Sequence, residues 1–576
     1  MTEYYYIGIG GTGARILSSI VRLCECGHLS LPKLNCVMID ADKYNGNVKE
    51  TTDLIGEYTK VQKILGGSCA PLFKTEIIGI GKNNGFSATP ISKSDDVERS
   101  VKGELVDSDS AEDVAAMKNF LTEEEYNDIK VNNGFYGNQL IGRIFFEHAL
   151  EDSHNELVQV LDKIAKTVKN PSITKVKVYI ACSTFGGTGA SGIIPICNKL
   201  IDKVGGVENE GRAKLHIYAS LMLPYFKPAE DEKIGKKIDH ADFETTTYYA
   251  LGRYRLLQES GEKTDKIFDK VHIVGDPSKP VRGIHKEEGT AQRNWPHIFE
   301  LFAASEVKNA FDATPNDEAR KKLDFNNDPF KVRNGDDISF LQWDDYTKYG
   351  PLRNSVERFL LLNYYFSTDV VPTLFNYKGD NKFESWSLAG KPNSNPNLAR
   401  QRNREWSKRF TKLVGSIPFR VSDWNHDAIE KGDFLDLYDY FTQSSRWYYK
   451  LIHKFQDGSM SNVEKACWIE KPSSADTEAT CSCMQTEVLL PNLFETNGAK
   501  KLAERACMPK AANFLTRAEN FMTNVYTHAF AERIVEIDVN DIIPIKSEGE
   551  GAARSNFQKL VKSIYDITGN IIRRNY

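Results

Sequence analysis

The first half of the sequence predicts an α/β domain with a mainly parallel sheet. Apolar strand-like runs alternate there with amphipathic helical stretches, the pattern of chains that join parallel strands through helices. Two of the strands run directly into glycine-rich loops, and a helical pattern follows each loop. The order of strand, glycine loop and helix therefore occurs twice in one domain.

The first glycine loop follows a predicted strand at Tyr4 to Ile9, and helical spacing begins near Ala14. The loop contains four glycines and a threonine, namely Gly8, Gly10, Gly11, Thr12 and Gly13. The second predicted strand, Cys36 to Ile39, ends in two carboxylates, Asp40 and Asp42. Because ligands of open α/β sheets sit at the carboxyl ends of the strands, these acids are candidate ligand-binding residues.

The second glycine loop follows a predicted strand at Lys175 to Cys182 and precedes a helix at Ile193 to Val204. It contains Phe185, Gly186, Gly187, Thr188, Gly189, Ala190, Ser191 and Gly192. Further strands at 215–223 and 270–275 and helices at 242–257 and 292–311 complete the predicted domain, the last helix being entered at Pro296. Residues 45–133 read as a polar insertion with one helix at 111–129.

Both loops have the composition of a phosphate-binding site. Backbone N–H groups and the helix dipole attract anions to a helix N-terminus, and glycine lets the backbone approach them. The hydroxyls of Thr12, Thr188 and Ser191 add potential hydrogen bonds to phosphate oxygens. No lysine follows either loop at G-x-x-x-x-G-K-[ST] spacing, so the sequence does not support a P-loop.

The first loop taken alone also matches the dinucleotide-binding pattern G-x-G-x-x-G in a strand-to-helix context. Asp40, at the end of the second strand, stands where an NAD site places its ribose-binding acid. An NAD-binding enzyme of the Rossmann type is therefore an alternative, but it leaves the second glycine loop unexplained.

Three segments together resemble tubulins and the bacterial division GTPase FtsZ. The second loop is similar to their GGGTG[ST]G phosphate loop, and the first loop fits their first glycine loop. Between the two, Asn138, Gly142, Arg143 and Glu147 are similar to the FtsZ stretch Asn-Pro-Glu-Val-Gly-Arg-x-x-x-Glu near the γ-phosphate. The resemblance covers about residues 1–310.

Two positions of the second loop depart from the family pattern. Phe185 replaces the first glycine, and Ala190 replaces the usual hydroxyl residue. Gly186, Gly187 and Gly189 remain, so the loop is still expected to cradle phosphate. The departures and the insertion after Tyr44 indicate a divergent prokaryotic tubulin-like protein.

The resemblance implies a protein that binds GTP or GDP with Mg²⁺ and hydrolyses GTP. Asp40 and Asp42 match the second nucleotide loop, where they would contact the ribose or position magnesium through water. Polar and aromatic residues near the start of the long central helix would recognise the guanine, and Asn294, Trp295 and His297 are the candidates.

Catalysis is completed in trans in this superfamily, by an acidic loop of the neighbouring subunit in a head-to-tail filament. Residues 323–328 loosely resemble the FtsZ loop Asn-x-Asp-Phe-x-Asp, which makes Asp324 and Asp328 candidate catalytic residues. Such an acid would orient the attacking water and accept its proton. Asp336 and Asp337 compete for this role, and an ordinary acidic surface loop is the alternative.

Composition narrows the classes of function. A net charge of −5 argues against broad coating of nucleic acid, and no apolar run reaches membrane-spanning length. The ten scattered cysteines fit reduced thiols, and the first residues lack the features of a signal peptide. Cys481 and Cys483 lack a partner pair at zinc-site spacing. We therefore expect a cytoplasmic protein.

The sequence further predicts a connecting region of helices and loops at residues 311–415 and an α+β domain at 416–576, with the nucleotide domain at 1–310. The C-terminal domain offers a surface for protein partners. A third functional hypothesis follows from it: a nucleotide-gated scaffold that binds GTP, hydrolyses it little and acts through recruited partners.

Overall fold

The computed structural model describes residues 1–67, 69–91, 100–102, 121–131, 134–135, 137–206, 210–225, 227–228, 243–259, 267–275, 284–285, 296–313, 338–340 and 346–365, with single positions between 437 and 566.

In these residues the core of the fold is an eight-stranded sheet in which every pair of neighbouring strands is parallel. Its strands are β1 (Thr2–Ile9), β2 (Lys33–Ile39), β3 (Glu76–Gly79), β4 (Ser87–Ala88), β5 (Lys175–Ser183), β6 (Leu215–Met222), β8 (Lys270–Val274) and β10 (Ile338–Phe340). The strand order is β10-β8-β6-β5-β1-β2-β3, and β4 also pairs with β2. A separate ribbon joins β7 (Lys227–Pro228) to β9 (Ile284–His285). The predicted α/β class with a mainly parallel sheet is confirmed.

Helices connect the strands and follow them in the chain. They are α1 (Gly10–Glu25), α2 (Gly46–Leu65), α3 (Glu123–Asp128), α4 (Gln139–Glu151), α5 (Glu156–Lys169), α6 (Gly187–Lys203), α7 (Glu210–Lys214), α8 (Phe243–Glu259), α9 (Ile298–Asp312) and α10 (Tyr346–Tyr365). No helix in the described part of the chain is long and apolar enough to cross a membrane.

The register of the central strands brings three predicted loops to one edge of the sheet. Gly8 of β1 is paired with Ala181 of β5, and Ile9 of β1 is paired with Ile39 of β2. Because these strands are adjacent and parallel, the segments that follow β1, β2 and β5 leave the sheet side by side. Both glycine loops and the Asp40 segment therefore begin at neighbouring positions.

Several sequence-based boundaries were wrong. α1 begins at Gly10 and α6 at Gly187, so the glycines form the first helical turns instead of preceding them. α9 begins at Ile298, two residues after Pro296. Glycine has a low helix propensity, and for this reason the sequence patterns placed the starts of α1 and α6 too late.

The segment read as a polar insertion contains regular structure. α2 contributes Tyr58, Val61 and Ile64 to the buried residues, and β3 extends the sheet beyond β2. The predicted helix at 111–129 lies largely outside the described residues, although α3 occupies its end. The charged residues between the buried positions of α2 obscured its helical pattern.

The contacts divide the chain into two compact units. The first comprises residues 1–21, 31–55 and 75–342, and the second comprises 22–30, 56–74 and 343–576. The second unit contains a buried carboxylate, Glu25, which accepts hydrogen bonds from Arg22 at 2.9 Å and from Tyr440 at 2.6 Å. The predicted domain boundaries near residues 310 and 415 stay predictions.

Candidate functional site

The turn from β1 into α1 favours glycine at two positions, at Gly13 because the backbone is closely packed and at Gly10 because of its backbone conformation. A methyl group on Gly13 would lie 2.5 Å from the carbonyl carbon of Gly8 and 2.8 Å from the oxygen of Ala181. The Tyr6 hydroxyl donates a hydrogen bond to the Gly13 carbonyl oxygen at 2.8 Å. Gly10 has a φ of +73°, in the left-handed region that favours glycine. The first turn of α1 is therefore fixed directly above the sheet.

The second glycine loop leads into the N-terminus of α6. Gly186 is the N-cap residue and provides no side-chain hydrogen bond to the first turn, which consists of Gly187, Thr188 and Gly189. Strand β5 is tied to β6 just before this point, because the Thr184 hydroxyl donates to the Met222 carbonyl oxygen at 2.9 Å. Backbone N–H groups in such a turn are suited to an anionic ligand.

The N-termini of α1 and α6 converge. A methyl group on Gly10 would lie 3.5 Å from the Gly189 nitrogen and 3.7 Å from the Thr188 Cβ. Thr12 and Thr188, two of the three residues predicted to offer hydroxyls to phosphate, are each 8% exposed. Two helix N-termini therefore border one space at the carboxyl edge of the sheet.

Asp40 and Asp42 form a tight polar turn after β2. Asp40 accepts hydrogen bonds from the Asp42 nitrogen at 3.1 Å and the Asn45 side-chain amide at 2.9 Å, and Asp42 accepts one from the Tyr44 nitrogen at 2.9 Å. A methyl group on Gly11 would lie 3.1 Å from the side-chain nitrogens of Asn45 and Asn47. The two acids thus belong to a loop that borders the first turn of α1.

Asn45 and Asn47 were not among the predicted site residues. Both are at least 95% buried, and the Asn45 side-chain oxygen accepts a hydrogen bond from the Asn47 nitrogen at 2.9 Å. Their position in the sequence, five and seven residues after Asp40 at the same sheet edge, was the signal that could have identified them.

Burial, and secondarily the neighbouring Asp42 carboxylate, raises the pKa of Asp40 to about 7. A cation close to this pair would favour the ionised form. The donor chemistry suits Mg²⁺, which usually takes one or two carboxylates together with substrate phosphates and water. No cluster of three or more His, Cys, Asp or Glu side chains positioned for a metal occurs in the described ranges.

Gly134, Phe135, Gly137 and Asn138 complete the surroundings of the second loop. A methyl group on Gly187 would lie 2.8 Å from the Phe135 Cβ and 3.2 Å from the nitrogens of Gly137 and Asn138. On the other side, a methyl group on Gly134 would lie 3.8 Å from the Asp42 Cβ. This segment therefore lies beside both the second glycine loop and the Asp40 turn.

Three residues of this region take part in local structure. Asn138 caps α4, and its side-chain oxygen accepts hydrogen bonds from the nitrogens of Leu140 and Ile141. Gly142 permits close contact of α4 with α6, since a methyl group there would lie 2.6 Å from the Gly187 oxygen. The Ser191 hydroxyl donates to the Gln139 carbonyl oxygen at 2.7 Å. The predicted roles of Asn138, Gly142 and Ser191 in ligand contact stay predictions.

Arg143 lies further along α4 and is more exposed than the residues around the loops. Its side chain is 39% exposed and forms an ion pair with Glu147 at 2.7 Å, one helical turn away. Its predicted contact with the nucleotide stays a prediction.

His297 is the N-cap residue of α9. Its ring nitrogen Nδ1 accepts a hydrogen bond from the Phe299 nitrogen at 3.2 Å, and its own nitrogen donates to Glu300 at 3.0 Å. The ring packs against Tyr225 with 4.9 Å between centroids. The other base-recognition candidates, Asn294 and Trp295, lie outside the described residues, as do Asp324, Asp328, Asp336, Asp337, Cys481 and Cys483.

The geometry of these loops defines a class of protein. Two adjacent parallel strands each end in a glycine-rich helix N-terminus, the two N-termini converge, and a carboxylate turn borders one of them. This is an α/β domain arranged for an anionic ligand at the carboxyl edge of its sheet.

Residues 5–251 match the protein family described as "Tubulin like". The matched range contains both glycine loops, the Asp40 turn and α4. This N-terminal part of the chain is therefore similar to the tubulin-like family.

A solved structure titled "CetZ2 from Haloferax volcanii - GTPgS bound protofilament" is similar to this chain at 11% sequence identity. The alignment covers 54% of this chain and 56% of that chain, with a TM-score of 0.22. The chain thus spans a little over half the length of CetZ2, and at this TM-score the similarity assigns no role to any residue. No curated protein matches the sequence.

Proposed function

We propose that this protein binds a guanine nucleotide, GTP or GDP, with the phosphates between the N-termini of α1 and α6. The observation that supports the proposal most strongly is the close approach of the two loops: a methyl group on Gly10 would lie 3.5 Å from the Gly189 nitrogen. Two dipoles and two sets of first-turn N–H groups would act on one polyphosphate. The choice of guanine follows from the tubulin-like family.

The arrangement favours this ligand over a dinucleotide. A dinucleotide site of the Rossmann type uses one glycine loop and one helix N-terminus. Here a second glycine loop lies against the first, and an NAD site would give the first turn of α6 no part in binding. NAD-dependent chemistry is therefore the weaker hypothesis.

Different residues of the chain would bind different parts of the nucleotide. The first-turn amides of α1 and α6 and the Thr188 hydroxyl would bind phosphate oxygens, and the Asp40 turn would bind the ribose or a magnesium ion. Magnesium supplies positive charge that neutralises the phosphates when it is bound. Asn45 holds the Asp40 carboxylate in place through its amide.

The ligand class can be tested on the purified full chain. Nucleotides released by denaturation are separated by chromatography, and the nucleotide-free protein is titrated with GTP, ATP and NAD under the same conditions. We expect GTP or GDP to copurify and GTP to bind more tightly than the other two. Recovery of NAD, or equal affinity for ATP and GTP, would refute the proposed pocket.

We also propose head-to-tail self-association, with the nucleotide at the subunit interface and hydrolysis completed by Asp324 or Asp328 of the neighbour. Asp40 and Glu300 lie near the first loop, but both accept hydrogen bonds from their own surroundings, which favours ligand binding or structural roles for them over activation of a water molecule. A further acid would then have to reach the nucleotide. A heterologous contact that does not close produces a filament.

Phosphate release and light scattering over a dilution series test this second proposal. We expect the rate per molecule to fall on dilution, and Asp324→Ala or Asp328→Ala to leave GTP binding unchanged while slowing hydrolysis roughly a hundredfold or more. A constant rate down to dilute monomer would mean that the site is complete in one chain. Assembly triggered by GTP without phosphate release would favour a nucleotide-gated scaffold.

A further inference from the structure

Tyr225 is a fully buried residue three positions beyond the end of β6. It is 1% exposed, and its hydroxyl donates a hydrogen bond to a carboxylate oxygen of Glu300 at 2.6 Å. The side chain of Thr12, in the first turn of α1, interacts with the same hydroxyl. The hydroxyl of Tyr225 therefore connects the first glycine loop to the start of α9.

The ring of Tyr225 connects the second glycine loop to the same point. Phe185 packs edge-on against it, with 6.2 Å between centroids and 76° between planes. Phe185 occupies the position where the family pattern has its first glycine. The substitution that makes this loop divergent thus supplies the side chain that joins it to Tyr225.

The carboxylate of Glu300 fixes the other end of this connection. It forms an ion pair with Arg15 of α1 at 2.6 Å and accepts a hydrogen bond from the His297 nitrogen at 3.0 Å. The Arg15 guanidinium lies 5.8 Å from the centre of the Tyr225 ring. Tyr225 consequently contacts groups from α1, from the second glycine loop and from the N-terminus of α9.

We propose that Tyr225 is a positioning residue for nucleotide binding, which sets the spacing of the two glycine loops through Thr12 and Phe185 and couples both loops to the N-terminus of α9 through Glu300. The inference rests on the proposed nucleotide site. Loops held in place before binding lose less conformational freedom when the ligand arrives, so a preorganised site binds more tightly. By the same connection, an occupied site stabilises the first turn of α9.

The test compares two tyrosines that are equally buried. Tyr225→Phe removes the hydroxyl but keeps the ring, and Glu300 retains its ion pair with Arg15. Tyr179→Phe is the matched control. The Tyr179 hydroxyl is also fully buried and is hydrogen-bonded to Ser220 at 2.7 Å and to His272 at 3.1 Å, but it contacts neither glycine loop. We expect Tyr225→Phe to weaken GTP binding by about tenfold, the scale of one lost hydrogen bond at a preorganised site. Tyr179→Phe should change the affinity by less than about twofold while losing comparable thermal stability. Equal effects of the two variants on affinity would overturn the proposal.

A second variant tests the Thr12 connection independently. Thr12→Val should weaken GTP binding in the wild-type background and have little further effect in Tyr225→Phe, because both substitutions remove the interaction between these two side chains. Additive effects would mean that the Thr12 hydroxyl acts on the nucleotide directly, and would refute positioning through Tyr225.

Hydrogen exchange of the nucleotide-free protein separates this proposal from the nucleotide site itself. Tyr225→Phe should speed amide exchange in residues 10–14, 186–190 and 297–301 together, and Tyr179→Phe should not. Unchanged exchange in both loops would overturn the positioning role. If Tyr225→Phe gives this exchange pattern but the wild type binds no nucleotide, the coupling through Tyr225 stands and the proposed ligand is refuted.

Discussion

Gly10→Ala gives the most direct measurement of what lies between the two helix N-termini. The added methyl group would stand 3.5 Å from the Gly189 nitrogen, which is an ordinary van der Waals contact and displaces no protein atom. A phosphate oxygen bound by that amide would need a nitrogen-to-oxygen distance of about 2.9 Å. The methyl group and the phosphate oxygen therefore compete for one position.

The structure separates the expected loss of stability from the expected loss of binding. At a φ of +73°, alanine costs about 1–2 kcal/mol in backbone strain, partly offset by the lower entropy of the unfolded chain. Loss of the hydrogen bond from the Gly189 amide to a charged phosphate, at about 1.5–3 kcal/mol, would raise the Kd by about tenfold to a hundredfold. Gly67 has the same φ of +73° and nothing within 4 Å of an added methyl group. Gly67→Ala therefore carries the strain without the obstruction.

Equilibrium unfolding by urea and titration with GTP, on both variants and the wild type, provide the comparison. We expect Gly10→Ala and Gly67→Ala to lose similar unfolding free energy, about 1 kcal/mol each, and only Gly10→Ala to lose GTP affinity. Full affinity in a folded Gly10→Ala protein would show that the phosphates do not lie between α1 and α6.

Three further perturbations test individual contacts. In the nucleotide-free protein the pKa of Asp40 is about 7 in the folded state and 3.8 in the unfolded state. Between these pH values the folded state binds more protons, so the free energy of unfolding falls as the pH rises. Asp40→Asn should flatten this dependence in urea unfolding curves recorded from pH 5 to 8. The Lys177 ammonium group donates a hydrogen bond at 2.6 Å to the Phe311 carbonyl oxygen at the end of α9, so Lys177→Met should lower the free energy of unfolding by about 1–3 kcal/mol. Lys308→Met is the control. It breaks an exposed ion pair on α9 and should cost under about 0.5 kcal/mol. Gly142→Ala should destabilise the fold in thermal unfolding, since its methyl group would lie 2.6 Å from a backbone oxygen of the second glycine loop. Gly56→Ala, in the interior of α2, places its methyl group with nothing within 4 Å and should stabilise the fold by up to about 1 kcal/mol. The reverse order of stability would contradict the packing of α4 on α6.

The parallel sheet and its two glycine loops were predictable because buried parallel strands are nearly continuous apolar runs. β1, β2 and β5 each read in this way, and the glycines follow β1 and β5 at once. Sequence order also placed Asp40 and Asp42 at the carboxyl edge. What linear patterns could not provide is which groups face one another across that edge, since this depends on strand order and register.

The side-chain roles were harder to predict for a physical reason. Asparagine, serine and histidine serve equally as ligand contacts and as partners of backbone groups, and a sequence does not distinguish the two uses. Asn138 and His297 both occupy N-cap positions, and the Ser191 hydroxyl bonds a backbone carbonyl. Tyr225 belongs to no motif, and only the fold brings it to Thr12 and Phe185.

Phe185 and Ala190, the two positions at which the second loop departs from the family pattern, both contact α8. Phe185 packs on Phe243 of α8 with 4.8 Å between centroids. The Ala190 carbonyl oxygen accepts hydrogen bonds from the Tyr254 hydroxyl at 2.8 Å and from Arg253 at 3.1 Å, both also on α8. Phe185 makes its contact through a side chain that glycine lacks, whereas the contacts of Ala190 are made by its backbone carbonyl and do not depend on the residue type. Because the first-turn amides of α6 belong to residues between these two positions, neither replacement removes an amide that the proposed phosphate site would use.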